Sequence, residues 1–515
     1  MLRRLVLALL SGVALCLAFP AYGIWPLAPI GVALLAVATA GSGFRRGALL
    51  GLATGLVFFT YSLSWAGTVV GAVPWLALAV LQALFFALMG GWCGWLQGGT
   101  SGGAGARVRP LAVALAWVAQ EALRDRFPYG GFPWVRLAFS QADSPFGRLA
   151  ALAGAPAVTF AVAFCGALLA AGAVAVVGSR TRPPTPRSSR QVRSVGAPTA
   201  LAVLVALAGL LVPLPTDGLP AQVMAVQGNV PRAGLDFNAE RRQVLDNHVQ
   251  ATLGAAQQVL SGALRQPDLV VWPENSSDID PVRNADAAAE ITAAVTAIGA
   301  PLVVGALLEE PAPDVSNVSL LYLPGRGLVE RYVKQHPVPF AEYIPDRSFF
   351  RLFSDKVDLV RQDFAAGDRP VVFDVPAASG AVIHAGPSIC FEVAYDDLVR
   401  ENVQRGANLL LVQTNNATFG YSNESVQQLA ISRIRAIEHG RSVVHVSTVG
   451  VSGLILADGT VQQPSALFTQ AVLSGELPLR SQVTLATRLG PWPEYLACLL
   501  LVALTLGMGR RARRR

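Results

Sequence analysis

Apolar residues come in blocks along this chain rather than in even alternation. Long apolar runs fill residues 1 to about 215 and return near the C-terminus. In order they are Leu5–Phe19, Trp25–Ala40, Gly47–Val70, Trp75–Leu96, Pro110–Leu123, Leu149–Val177, Thr199–Leu214 and Trp492–Met508. A straight transmembrane helix needs roughly 20 apolar residues. Some runs are shorter, but their flanks are apolar or aromatic, so about eight membrane spans are expected. Gly and Pro recur inside them, as membrane helices tolerate. The first run also fits a signal peptide, because Arg3 and Arg4 precede a short apolar core. Against that reading stand the further spans behind it and the lack of a clear small-residue cleavage site.

Between these blocks the pattern changes to strand, helix and turn. Short β-rich runs lie at Ala221–Val226, Asp268–Trp272, Leu302–Gly305, Leu328–Tyr332, Val382–Ile389, Leu409–Gln413 and Ser442–Thr448. Helical stretches separate several of them, near Ala239–Leu260, Ala285–Ile298, Ala394–Arg405 and Ser425–His439. The alternation predicts a layered α/β domain. Three regions follow: 1–217 with seven spans, 218–484 as one large domain, and 485–515 with a last span and a basic tail.

Composition agrees with this division. The 515 residues are 53% hydrophobic and 14% charged, with a mean hydropathy of +0.47. Soluble proteins carry roughly 25% charged residues. The positive charge follows a topology. With the N-terminus inside, the inside segments hold Arg3 and Arg4; Arg45 and Arg46; Arg107 and Arg109; Arg180, Arg182, Arg187, Arg190 and Arg193; and the tail Arg510, Arg511, Arg513, Arg514 and Arg515. The turns near Pro20–Ile24 and Gly71–Pro74 carry none, and the Arg126–Arg148 loop is a partial exception. Positive charge inside orients such a protein in the cell membrane with both termini cytoplasmic and the large domain extracytoplasmic. A basic tail directly after an apolar run reads as a cytoplasmic anchor, so nucleic acid is not the expected partner.

Of the forty basic residues only Lys334 and Lys356 are lysines. A lysine is a compact and tunable point charge where arginine is planar and fixed. Lys334 lies between Trp272-Pro-Glu274-Asn and Gly386-Pro-Ser-Ile-Cys390-Phe-Glu392. Cys390 is the one cysteine of the large domain, either a buried inert residue or a reactive thiol. A carboxylate, an amine and a thiol at strand ends are the parts of an acyl-transfer site. Glu274 takes the thiol proton, Cys390 attacks an acyl carbon, and Lys334, with the backbone N–H after Cys390, stabilises the oxyanion. Glu342 either balances the amine or is a turn carboxylate. Glu392 either orients the site or receives a leaving group's proton, or it is a charge at a helix N-terminus. The histidines form no metal-binding spacing, and no phosphate or dinucleotide loop is present, so neither metal nor cofactor is expected.

The ordered segments Trp272-Pro-Glu-Asn, Lys334-Gln-His-Pro-Val-Pro-Phe-Ala-Glu342 and Ile389-Cys-Phe-Glu392, with Thr414-Asn-Asn-Ala-Thr-Phe-Gly420 behind them, resemble the nitrilase superfamily. That resemblance implies an αββα sandwich and Cys-based acyl transfer. Phe19-Pro-Ala-Tyr-Gly-Ile-Trp-Pro-Leu-Ala28, Gly130-Gly-Phe-Pro-Trp134 and Phe139-Ser-Gln141 extend it over nearly the whole chain, which is similar to the apolipoprotein N-acyltransferase family. The family implies transfer of an acyl chain from a phospholipid to Cys390, then to the α-amine of a diacylated apolipoprotein. Phe391 stands where the family often has Tyr, Phe237 replaces an expected Trp after Gln227-Gly-Asn-Val-Pro231, and Thr418 stands where Trp is common. Phe391, Phe132 and Trp134 are candidate substrate contacts; Phe132 and Trp134 either meet lipid at the outer interface or only anchor their loop. Residues 340–364 are a candidate lid. Two other readings remain open. One is a membrane-bound amidase that uses water as acceptor. The other is a transporter or scaffold, for which an intramembrane charge such as Glu121 is the pointer.

Overall fold

The computed structural model describes residues 1–98, 107–180, 189–230, 241–378 and 380–513. Arg182, Arg187, Arg514, Arg515 and Phe237 lie outside the described residues. The chain divides into two compact units, Met1–Pro213 with Arg488–Arg515, and Leu214–Thr487.

In the first unit a helix occupies each apolar run: Leu2–Ala18, Leu27–Thr39, Gly43–Ser62, Ala72–Leu96, Pro110–Arg124, Ala150–Arg180, Ser189–Ala208 and Trp492–Arg513. Among the described residues, three stretches are long and apolar enough to cross a membrane: Ala72–Leu96, Pro145–Val176 and Trp492–Arg510. The expectation of eight spans therefore meets a length limit. Leu27–Thr39 has 13 residues and Pro110–Arg124 has 15, which at 1.5 Å per residue fall short of a hydrocarbon core of about 30 Å. Apolar side chains such as Leu84, Leu204 and Leu499 remain exposed on the helices, as a lipid-facing surface requires.

Glycines set how closely two of these helices approach. Gly47, Gly51, Gly90 and Gly94 recur at four-residue spacing on Gly43–Ser62 and Ala72–Leu96. A Cβ on Gly51 would lie 2.1 Å from the Phe86 carbonyl oxygen, so the backbones touch as small-residue membrane helices do. Glu121 is tied up within the unit. Its oxygens accept from the Leu137 N–H and the Thr159 hydroxyl, each at 2.8 Å, and Arg136 lies 3.5 Å away. That satisfied environment is structural and removes the pointer to a transport path.

The second unit contains two six-stranded sheets. One has the order β12-β1-β2-β3-β4-β5, from β1 (Leu219–Gln227), β2 (Leu269–Val271), β3 (Leu302–Leu308), β4 (Ser316–Leu323), β5 (Gly327–Val333) and β12 (Ala471–Leu479). The other has the order β11-β10-β9-β8-β7-β6, from β6 (Phe373–Pro376), β7 (Val382–Ile389), β8 (Leu409–Thr414), β9 (Ser442–Ser447), β10 (Gly453–Ile455) and β11 (Val461–Gln462). Each sheet has a parallel trio, β1-β2-β3 and β7-β8-β9, with antiparallel strands at its flanks.

Alternation along the strands makes one apolar face of each sheet meet the other. Val223, Leu269, Val303 and Leu321 from the first sheet pack with Ile383, Ala385, Leu411 and Val444 from the second. The first sheet's other face, with Val226, Val270 and Leu320, buries helices Arg241–Leu260 and Ala285–Ile298. Helices Asp396–Gln404 and Glu424–His439 contact the second sheet through β7 and through β9 and β10. The layers are thus α, β, β and α, the expected nitrilase-like sandwich.

Candidate active site

Three strand ends deliver the reacting groups. Glu274 follows β2 through Trp272 and Pro273, Lys334 directly follows β5, and Cys390 directly follows β7. Gly305 on β3 makes room for the first of them. A Cβ there would lie 2.2 Å from the Pro273 carbonyl oxygen and 2.7 Å from the Glu274 Cα. Cys390 has φ +55°, a left-handed conformation that an L-residue with a side chain adopts at a cost of about 1–2 kcal/mol. Such strain is characteristic of functional turns, and here it starts the 3₁₀ turn Cys390–Ala394.

Lys334 is 1% exposed. Its Nζ lies 2.9 Å from Glu342 Oε1 and 3.3 Å from Glu274 Oε1. Asn317 on β4 bridges the same two carboxylates, its Nδ2 donating to Glu274 Oε1 at 2.7 Å and to Glu342 Oε1 at 3.0 Å. The other oxygens accept backbone N–H groups, from Asn415 to Glu274 Oε2 at 2.8 Å and from Val338 to Glu342 Oε2 at 2.7 Å. Both carboxylates are therefore fixed in orientation. Lys356, by contrast, lies on the exposed turn Asp355–Leu359.

Burial dominates the electrostatics. It would push the Lys334 ammonium down, but Glu342 and then Glu274 outweigh it and the pKa rises. Lys334 is thus a permanent cation. Burial raises Glu274 above the usual carboxylate range although Lys334 pulls the other way, which makes it a better proton acceptor. Burial and the Glu274 charge raise the Cys390 thiol, while Lys334 opposes them. The resting sulfur is therefore a thiol, and its proton has to move to a base as it reacts.

Glu392 has a different job from a proton acceptor. It is fully buried, and both oxygens are filled. Oε1 accepts from the N–H of Gln335 at 2.7 Å and of His336 at 3.2 Å, Oε2 from the N–H of Ile389 at 2.7 Å, and the Tyr332 hydroxyl reaches both at 2.9 Å. Burial pushes it up to about 6, with these hydrogen bonds opposing the rise. One carboxylate thus clasps the turn after Lys334 to the turn at Cys390. The helix behind it begins at Asp396, so Glu392 is not that helix's N-terminal charge. Glu392→Ala leaves the Tyr332 hydroxyl and three N–H groups without this acceptor. At about 1–3 kcal/mol for a buried unsatisfied group, a loss of at least about 3 kcal/mol is expected, seen as a lowered urea midpoint of the purified protein.

The sulfur has two polar neighbours that residue type alone did not single out. Thr414 Oγ1 lies 3.4 Å and Gln428 Nε2 3.7 Å from Cys390 Sγ. Gln428, Asn317 and the buried Glu424 are the additions to the predicted set. Asn317 shows in the sequence as polarity beside an apolar strand run, whereas Gln428 and Glu424 sit in a helix rich in polar residues and carry no such signal. Phe391 is buried and meets Tyr395 edge-on. Phe132 and Trp134 belong to the first unit. Trp134, expected either to meet lipid at the outer interface or only to anchor its loop, is 1% exposed and packs edge-on against Trp65. Its loop is held inward by Arg124 Nη1, which donates to the carbonyls of Phe132 at 3.0 Å and Trp134 at 2.6 Å. Phe132 is partly buried.

Two family models match the chain in tandem. One, described as the apolipoprotein N-acyltransferase N-terminal domain, matches residues 11–168. The other, described as carbon-nitrogen hydrolase, matches residues 222–484. The apolipoprotein N-acyltransferase of Mycolicibacterium smegmatis is 39% identical over 522 residues, covering 96% of this chain and 83% of that protein.

The chain belongs to the apolipoprotein N-acyltransferase family.

The apolipoprotein N-acyltransferase of Pseudomonas putida is 31% identical, covering 99% of this chain and 97% of that protein. An amidase from Nesterenkonia sp. aligns with a TM-score of 0.37 and 17% identity, covering 51% of this chain and 91% of that chain. The N-acyltransferase N-terminal match falls inside the first unit and the hydrolase match inside the second.

Proposed function

We propose that this protein N-acylates lipoproteins, moving an acyl chain from a membrane phospholipid through a Cys390 thioester to the free α-amine of an N-terminal diacylglyceryl-cysteine. The observation that carries the reading is Lys334, a buried cation shared by Glu274 and Glu342 and acting electrostatically on Cys390 in a member of this family.

In the first half-reaction Cys390 Sγ attacks the ester carbonyl and its proton passes to Glu274. Lys334 Nζ stabilises the oxyanion. The carbon–oxygen bond then breaks, Glu274 returns the proton to the departing alkoxide, and a lysophospholipid leaves. In the second, the α-amine attacks the thioester, the carbon–sulfur bond breaks, an amide forms and the amine's proton restores the thiol. Glu342 holds Lys334 in place, and Glu392 holds the two turns together. Because Glu274 has to be ionised to take the proton and its pKa is raised, activity falls on acidification at a higher pH than an ordinary carboxylate would give.

The proposal includes a multi-pass place in the cell membrane, with about eight spans, both termini cytoplasmic and residues 218–484 on the opposite face. The arginine distribution supports that orientation. The shorter helices then cross by packing against the longer ones. The test is transfer in phospholipid vesicles with a diacylated lipopeptide as acceptor. The expected product is the N-acyl amide together with one equivalent of lysophospholipid. Release of free fatty acid instead, unaffected by the lipopeptide, favours the amidase.

A further inference from the structure

A fourth carboxyl group stands behind the sulfur, and the mechanism above does not use it. Glu424 opens the helix Glu424–His439 and is 2% exposed. Its Oε2 accepts from Asn416 Nδ2 at 2.6 Å. The same Asn416 amide nitrogen has a second hydrogen, and Gln428 Oε1 lies 3.0 Å from it. Gln428 then presents its Nε2 to Cys390 Sγ at 3.7 Å. Thr414 Oγ1 stands between Gln428 Oε1, at 2.8 Å, and the sulfur, at 3.4 Å.

With Glu424 as the acceptor, the donors and acceptors along this chain fall into one order. An amide side chain can turn over and exchange its oxygen and nitrogen, so its orientation is set by its partners. Asn416 Oδ1 accepts from Ser447 Oγ, which leaves its nitrogen for Glu424 and Gln428. With Asn416 donating to it, Gln428 has its oxygen on that side and its N–H on the sulfur. The Thr414 hydroxyl has a single hydrogen. It serves Gln428 while the sulfur is a thiol and turns to the sulfur when a thiolate forms. Gln428 Oε1 then keeps Asn416 as donor.

We propose that Glu424 is a positioning residue for the nucleophile: through Asn416 it fixes the Gln428 amide so that an N–H, rather than an oxygen lone pair, faces Cys390 Sγ. The inference rests on the reading of Cys390 as the nucleophile, and it adds a residue that acts on the sulfur without touching substrate. What the role requires of Glu424 is an acceptor and no strong negative charge, since an anion at this place would oppose thiolate formation. Burial, the largest influence, pushes the Glu424 carboxyl up to about 8, with the Asn416 hydrogen bond opposing. At neutral pH it is mainly uncharged and still accepts through its carbonyl oxygen. A glutamine at 424 reproduces both properties, and a methionine of similar length is uncharged but supplies no comparable acceptor.

The experiment measures the rate at which iodoacetamide alkylates Cys390 in the purified full-length protein at pH 7.5, read by mass on the Cys390 peptide. It needs no acyl donor, so its result is independent of whether a phospholipid is the substrate. Glu424→Gln is expected to retain at least about half of the parent rate. Glu424→Met is expected to fall about tenfold, Gln428→Met by a similar factor, and the double variant no further than Gln428→Met alone, because both changes remove the same N–H from the sulfur. A tenfold loss in Glu424→Gln overturns the proposal, and that conservative variant tests it even where Glu424→Met does not fold. Multiplied losses in the double variant, or a parent-like rate in Glu424→Met, overturn it as well. Parent-like alkylation of Glu424→Gln alongside failed lipopeptide acylation by the parent protein would count against the substrate reading while leaving the positioning role intact.

Discussion

Cys390→Ala is expected to abolish acyl-enzyme formation and N-acylation together, with a loss of roughly 10⁴-fold or more. The sulfur is the atom proposed to carry the acyl group between two bulky lipid substrates that react one after the other. Its removal costs the fold little. The polar contacts to Sγ are long, 3.4 Å to Thr414 and 3.7 Å to Gln428, and alanine adopts the left-handed backbone no worse than cysteine does. The variant should therefore melt within a few degrees of the parent while labelled phospholipid leaves no label on it. Cys390→Ser separates nucleophile from shape. Its hydroxyl is far less acidic than a thiol, and an oxyester is a poorer donor to an amine than a thioester, so it should also fail to turn over. Retained transfer in Cys390→Ala would move the acyl carrier to another residue.

Lys334→Arg is expected to lower the rate of the first half-reaction by about 10²–10³-fold, the cost of losing one well-aimed oxyanion donor. The substitution keeps the charge and changes its shape. The ammonium sits between Glu274 at 3.3 Å and Glu342 at 2.9 Å, enclosed in a space sized for a point charge. A guanidinium is planar and forks towards carboxylates, so it would pair with Glu274 and Glu342 and draw the base away from Cys390. Lys334→Met is a harsher change. It leaves the buried Glu274 and the partly buried Glu342 without their shared counter-charge, at about 3–5 kcal/mol of stability. A single-turnover acylation assay beside a urea melt separates the two effects. Lys334→Arg should fold and fail, and Lys334→Met should also unfold early. Full activity in Lys334→Arg would make the lysine a structural counter-charge only.

Much of the fold can be read from periodicity, and the misses have physical causes. β7 and the helix Ala285–Ile298 have the limits their patterns predict, because Gly380 precedes the strand and Asn284 and Gly299 bound the helix. β4 went unread because Ser316, Asn317 and Ser319 interrupt its apolar alternation. Those polar residues are buried, and Asn317 is there to serve the site. β12 is disguised by Gly475, Glu476 and Pro478 within an edge strand paired to β1. The helices of the first unit announce themselves by composition, but spanning length is a stricter test, and three stretches meet it among the described residues.

For the site, residue rarity and strand ends single out Glu274, Lys334 and Cys390, and the fold draws Glu342 and Glu392 in beside them. What no local pattern reveals is how saturated a group will be. Glu392 reads equally as a proton acceptor or an orienting group until its four donors are seen. Gln428 and Glu424 look like ordinary helix polarity until β8 and the turn at Cys390 are brought against them. Trp134 reads by residue type as either a lipid contact or a loop anchor, and only the fold, where Arg124 holds its loop inward and buries it, separates the two.

The most direct measurement is the mass of the Cys390 peptide after the purified protein meets a phospholipid of one defined acyl chain. The account predicts a mass gain equal to that acyl group, lost on treatment with hydroxylamine and lost equally when a diacylated lipopeptide with a free α-amine is added, with the acyl chain recovered as an amide on the lipopeptide. An unmodified Cys390 peptide during active transfer, or a Cys390-linked acyl group that the lipopeptide cannot remove, would contradict it.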